Sequence, residues 1–304
     1  MPRPILHSFT SLLLLLGFIS CEARQAEEKP TPAHNSQPSS VWLVQKDGRK
    51  LYLGGTIHLL REEDYPLPAV FERAYQNSTK VVFELPPGSD KKPETAQLMQ
   101  ALGMYAGDQT IQSELSPETL EKIQQWAAHK KQPLAAFSKL RPWMLALTIA
   151  SVEYQRIGAQ PDMGVDNHFE KRVSKDGKAS AGLESVEFQL GIFAGLNPKL
   201  QEELLLQTLS ETETIGRDFQ TLLEAWKQGD ADQLQAFLFK DADKYPELME
   251  QFLIKRNKSW VEPIMQLLNS SDTALVLVGA GHIGGKDGLI DLLTQQGCTV
   301  SQLQ

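Results

Sequence analysis

Cysteine is scarce in this chain: 304 residues contain two, Cys21 and Cys298. Two cysteines exclude a Cys-rich zinc site, so any metal has to be held by imidazole and carboxylate. If Cys21 is lipidated or removed, Cys298 is a lone thiol and no disulfide framework is expected. An excess of basic charge is missing too. Lys and Arg number 30 against 38 Asp and Glu, a formal net charge of -8. That balance argues against general nucleic-acid binding, which needs cations to neutralise phosphates. No apolar run reaches the roughly 20 residues that a spanning helix needs, and no solenoid-type repeat is found in the middle of the chain.

What is present begins with an export signal. Arg3 supplies a positive start, and Leu12 to Leu16 with Gly17, Phe18 and Ile19 form a short apolar core. Residues 1–20 are therefore expected to be a signal peptide. Cys21 after Phe18-Ile19-Ser20 looks like a bacterial lipoprotein cleavage site, with ordinary signal-peptide cleavage as the alternative. Phe18 departs from the Leu usual at that place. Glu22 rather than Asp after the Cys suggests outer-membrane sorting, by resemblance to Gram-negative lipoproteins. The expected location is the periplasmic face of the outer membrane, or the soluble periplasm or exterior, with an N-terminal lipid as the one membrane contact. Residues 22–40, with Pro30, Pro32 and Pro38 among polar residues, read as a disordered linker.

The folded part is expected at 41–304. Residues 41–44 and 50–53 are strand-like and flank Asp47-Gly48, a hairpin turn signal. Residues 66–77 read as a helix and 81–85 as a buried strand, which suggests a parallel crossover unit. The middle is mostly helical. Ser116-Pro117 and Asn197-Pro198 are cap-and-proline starts, and 119–131, 141–156, 200–209, 219–226 and 246–268 read as helices. Residues 178–183 could be a strand. Residues 273–278 read as a central parallel strand, 284–293 as a helix, and 299–300 as a last strand. The fold class is α/β, a mixed or mainly parallel central sheet with flanking helices and a large helical insertion at about 94–269.

His58 and His282 each close a Gly-x-x-His segment after an apolar strand, and Glu84 lies near the end of a third. If the strands are parallel, all three side chains reach one sheet edge, where open α/β sheets bind ligands. A carboxylate within Val-Val-Phe-Glu-Leu has to be paired, protonated or metal-bound, since an unpaired buried charge is costly. Two imidazoles and a carboxylate are an adequate ligand set for a divalent metal that activates water; taken singly, each residue also reads as a hydrogen-bonded or salt-bridged structural group. Residues 279–284 match the dinucleotide fingerprint Gly-x-Gly-x-x-Gly, but no strand with an acidic end follows before Gln304, so dinucleotide binding is not expected.

Taken in order, Gly55-Thr56-Ile57-His58-Leu59-Leu60, Phe83-Glu84-Leu85-Pro86 and Val278-Gly279-Ala280-Gly281-His282 resemble the TraB/GumN family. So do Gly164-Val165-Asp166-Asn167-His168-Phe169, Lys178 with Gly182-Leu183-Glu184-Ser185, and Arg256-Asn257 with Trp260. The resemblance runs from about residue 41 to about 304. It implies kinship with the TIKI metalloproteases, a fold like that of erythromycin esterases and ChaN-like haem-binding proteins, and manganese or cobalt rather than obligatory zinc. On that basis His58, Glu84 and His282 are the expected metal ligands. Asp166 or Glu184 could orient a ligand imidazole or act as general base, and Arg256 and Asn257 could stabilise an oxyanion; His168 is a weaker candidate. The expected activity is metal-dependent hydrolysis of a peptide or protein. The alternatives are a haem- or peptide-binding module without turnover, and a metal-free esterase with His58 or His282 as base.

Overall fold

The computed structural model describes residues 39–239 and 246–304. The expected signal peptide, Cys21 and most of the expected linker lie outside them. The last two linker residues do not. Ser39 and Ser40 are buried, and Ser40 Oγ donates to the Trp226 carbonyl at 2.9 Å. Packing therefore begins just before Val41.

Six strands form one mixed sheet: β1 (Val41–Lys46), β2 (Arg49–Thr56), β3 (Lys80–Phe83), β4 (Ala179–Gly182), β5 (Ala274–Gly279) and β6 (Thr299–Gln302), in the order β4-β3-β5-β2-β1-β6. β4, β3, β5 and β2 are parallel, while β1 is antiparallel to both β2 and β6. The β1–β2 hairpin turns at Asp47 and Gly48, both left-handed at φ 50° and 74°, the geometry a two-residue hairpin prefers. The strand expected at 50–53 runs on to Thr56, so Gly54 and Gly55 are inside it. β2 and β3 share a direction, as the crossover reading requires, but β5 lies between them.

Alternation along β5 divides the interior in two. Leu275 and Leu277 belong to a large core with most of the helices, and Ala274, Val276 and Val278 to a smaller one with Trp260, Ile264, Leu268, Leu289 and Leu293. Both faces of the sheet are covered, which is why β5 reads as an unbroken apolar run. The helices that bear on the site are α1 (Ala69–Gln76), α2 (Val165–Asp176), α3 (Val186–Ala194), α4 (Ile215–Gln228), α5 (Lys255–Asn269) and α6 (Leu289–Gln295). Further helices at Pro93–Gly103, Pro117–His129, Pro142–Arg156 and Pro198–Glu211 complete the large face. Ser116 and Asn197 cap two of them, as their sequences predict.

Several boundaries differ from expectation. The first helix starts at Ala69, because Pro66 and Pro68 precede it in non-helical backbone. The segment 246–268 is not one regular helix. A π-helical turn at Glu250–Ile254 leads into α5, which itself contains Pro263. The last helix starts at Leu289 rather than at 284, since Gly285 and Asp287 take left-handed backbone at φ 71° and 59°. Within the segment 94–269 the strand expected at 178–183 is found as β4, at the edge of the sheet.

Candidate active site

The three parallel strands β2, β5 and β3 end side by side. His58 follows β2 by two residues, Glu84 directly follows β3, and His282 closes a 3-10 turn (Ala280–His282) after β5. Glu84 is thus just past its strand, where its side chain can turn from the pleat toward its neighbours. The two Gly-x-x-His segments touch. A Cβ on Gly55 would stand 3.1 Å from both Ala280 Cα and Ile283 Cγ1. Glycine there is a packing requirement that brings the histidine segments together. Trp226 on α4 locks the same place, its Nε1 donating to the Gly55 carbonyl at 2.7 Å.

Each imidazole is held at Nδ1 by an oxygen on a helix. His58 Nδ1 donates to Asp166 Oδ2 at 2.5 Å, and Thr56 Oγ1 steadies Asp166 Oδ1 at 3.0 Å. α2 reaches this position because Gly164 lets it approach the His58 backbone: a Cβ there would lie 2.1 Å from the His58 carbonyl oxygen. Val165 N–H bonds the Ile57 carbonyl at 3.0 Å beside it. His282 Nδ1 donates to Asn257 Oδ1 at 2.6 Å. The Asn257 amide is fixed in that sense because its Nδ2 donates to the Asp287 carbonyl at 2.8 Å. With a carboxylate or amide oxygen as acceptor, each ring carries a proton on Nδ1. His282 stays neutral: burial first, then the charges of Arg256 and His58, hold its pKa well below the ordinary histidine value.

Arg256 joins the carboxylates. It is 1% exposed, and its Nη2 donates to Glu84 Oε2 at 2.6 Å and to Glu184 Oε2 at 3.0 Å. Its Nε meets both Glu184 oxygens at 3.0 and 3.1 Å, and its Nη1 meets the Phe252 carbonyl at 3.2 Å and His282 Nε2 at 3.1 Å. Burial alone would lower the guanidinium pKa, but Glu84 and Glu184 outweigh it and raise it. Gln189 on α3 donates to Glu84 Oε2 at 3.2 Å and Glu184 Oε2 at 3.0 Å, and Trp260 Nε1 donates to Glu184 Oε1 at 2.9 Å. Glu184 thus anchors Arg256. The π-helical turn ends just before Arg256, and both Arg256 and Asn257, though adjacent on the chain, are buried at the site.

Glu84 and His282 are brought together: Glu84 Oε1 lies 3.9 Å from His282 Nε2. Two donors about 2.0–2.2 Å from one ion stand roughly 3–4 Å apart, so the separation suits a shared divalent ion, which would have to displace Arg256 Nη1 from His282 Nε2. Among the described residues Oε1 carries one hydrogen bond, from Gly279 N–H at 2.7 Å, while Oε2 takes Arg256 and Gln189. The neutral, Nδ1-anchored His282 is also the form a metal needs. His58 is placed with Asp166, and among the described residues no three His, Cys, Asp or Glu side chains are gathered as a ready ligand group. His168 contacts the rings of Tyr65 and Phe169 instead. Asn257 has both amide ends engaged, so it orients His282 rather than facing an oxyanion. Gln189 and Thr56 were not singled out by sequence reasoning, though Thr56 lies inside the first Gly-x-x-His segment.

A family model described as TraB/PrgY/gumN matches residues 40–302. The uncharacterized protein YbaP of Escherichia coli K12 is 22% identical over 247 residues, 81% of this chain and 88% of that protein. YbaP of Shigella flexneri is likewise 22% identical over the same extent. The metalloprotease TIKI2 of Danio rerio is 22% identical over an alignment of 335 residues that covers 92% of this chain and 63% of that protein. No solved structure matches the chain.

Proposed function

The chain belongs to the TraB/PrgY/gumN family, and from that premise we propose that it is a metal-dependent hydrolase of peptides or proteins, exported from the cytoplasm. The observation that carries this reading is the pair of buried imidazoles, each held at Nδ1 by a helix-borne oxygen so that Nε2 is the working atom. The relative named as a metalloprotease supports the peptide substrate.

His58, Glu84 through Oε1, and His282 would hold the ion, with manganese or cobalt preferred to zinc. Such an ion supplies a water of lowered pKa and a polarised scissile carbonyl when bound. The chain's own groups do the rest. Asp166 and Asn257 keep the two rings in the productive tautomer. Arg256 is fixed between Glu84 and Glu184, and with His282 Nε2 on an ion the Nη1 N–H that now meets it at 3.1 Å would be released to stabilise a developing oxyanion. Burial strengthens the guanidinium's effect by excluding water.

The test is cleavage of a peptide library by the purified protein, stripped with chelator and reloaded with manganese, cobalt or zinc. Metal-stimulated cleavage is expected, lost in His58→Ala and His282→Ala with unchanged circular dichroism. No cleavage with any of these metals would sink the reading. A second reading is favoured by the 2.5 Å contact between His58 and Asp166: a metal-free hydrolase in which His58 is the base. Hydrolysis that survives chelation would support it instead.

Lipidation at Cys21 is part of the same proposal, as the anchor that places the domain at a membrane. Cys21→Ser should move the protein from membrane to soluble fractions; a variant that stays in the membrane fraction contradicts this.

A further inference from the structure

The three carboxylates bonded to His58 and Arg256 are committed. Glu84 and Glu184 are bound to Arg256, and Asp166 to His58. Glu170, which sequence reasoning did not single out, lies one turn beyond Asp166 on α2. Residues four apart on a helix share a face, with Cβ atoms about 5–6 Å apart. Glu170 carries one hydrogen bond among the described residues, from the Gly88 N–H to its Oε2 at 3.2 Å. Gly88 belongs to the loop that leaves Glu84, and takes left-handed backbone at φ 70°. The carboxylate therefore bridges the two segments that carry Glu84 and Asp166. Its basic neighbours on α2 are engaged elsewhere: Lys171 Nζ donates to the Asp162 carbonyl at 3.0 Å, and Arg172 pairs with Glu72 at 2.8 Å.

We propose that Glu170 is the general base and acid of the hydrolysis, an assignment that rests on the hydrolase reading above. The attacking water oxygen bonds to the carbonyl carbon as one water proton passes to a Glu170 carboxylate oxygen. The C–N bond then breaks, and that proton goes to the leaving nitrogen. The products are a carboxylic acid and a free amine, and Glu170 is again a carboxylate. Its environment suits the task. Burial pushes its pKa up to about 7; the Gly88 hydrogen bond opposes this, Asp90 and Asp166 add to it, and Lys91 offsets part of it. A base poised near the working pH exchanges protons in both directions.

The test compares the wild type with Glu170→Gln and Glu170→Asp in the metal-loaded cleavage assay across pH 5–9, with carboxyl-carbon NMR titration of the labelled wild type. Glu170→Gln should lower kcat/KM about a hundred- to ten-thousand-fold and abolish the acid limb of the profile. Glu170→Asp should keep part of the rate. One carboxyl, absent from the Gln variant's spectrum, should titrate near the pH of that limb. A Gln variant within threefold of wild type with its limb intact overturns the assignment, as does a Glu170 carboxyl titrating in the ordinary range near 4. If Glu170→Gln does not fold, the Asp variant and the wild-type titration decide. Wild-type cleavage with an unaffected Gln variant removes this role alone; absent wild-type cleavage removes the hydrolase reading and this role with it.

Discussion

Replacing Arg256 with Met isolates the electrostatic core of the site. The change keeps a long side chain in a buried place and deletes a guanidinium bound to Glu84, Glu184, the Phe252 carbonyl and His282. The cost is not the net worth of the ion pairs, which desolvation largely cancels, but that of carboxylates left buried without a cation. Removing one partner of a buried pair typically costs about 3–5 kcal/mol. Two carboxylates are stranded here, yet Gly279 N–H, Gln189 and Trp260 still donate to them, so the same range applies. At about 2–4 °C per kcal/mol for a large domain, the melting temperature should fall by roughly 10 °C at pH 7. Urea unfolding of both proteins at pH 7 measures this. A loss under about 1 kcal/mol would refute the reasoning.

Two further perturbations follow from the same geometry. Because the folded pKa of His282 is depressed, its contribution is complete above the unfolded value of about 6.5 and is lost as pH falls below it, at up to about 1.4 kcal/mol per pH unit. His282→Gln should remove that slope from the wild-type stability curve, and an unchanged slope between pH 6.5 and 5 would contradict it. Gly164→Ala would set a Cβ 2.1 Å from the His58 carbonyl oxygen, a backbone atom that cannot step aside, and should cost about 1–3 kcal/mol or more in urea unfolding; a neutral effect would mean that α2 docks on the His58 segment less closely than described.

The outline of this fold was legible because its signals are local. An unbroken apolar run announced β5, Asp47-Gly48 announced the hairpin, and glycines before His58 and His282 marked two strand ends. The sheet order was not legible, since nothing local to β2 or β3 says that a strand more than 190 residues further on, Ala274–Gly279, lies between them. Helix starts failed where backbone geometry outweighed periodicity, as at Pro66 and Pro68 before α1 and at Gly285 and Asp287 before α6. In the site, Asp166 and Asn257 were visible as candidates, but their equivalent tasks at the two Nδ1 atoms depend on which ring each helix reaches. Arg256 and Glu184 look like ordinary charges until packing buries them against each other. Glu170 offered one faint signal, its place four residues after Asp166, and its environment comes from a loop more than 80 positions away, at Gly88.

The central claim is that Glu84 Oε1 and His282 Nε2, 3.9 Å apart, share a divalent ion with His58. Calorimetric titration of the chelator-stripped protein with manganese and cobalt, alongside Glu84→Gln and His282→Ala, tests it most directly. The account predicts about one ion bound per chain by the wild type, markedly weaker binding by Glu84→Gln and none by His282→Ala, with each variant's fold checked by circular dichroism. Full metal affinity in Glu84→Gln would make Glu84 solely the counter-ion of Arg256, and a wild type that binds neither ion would contradict the metal centre altogether.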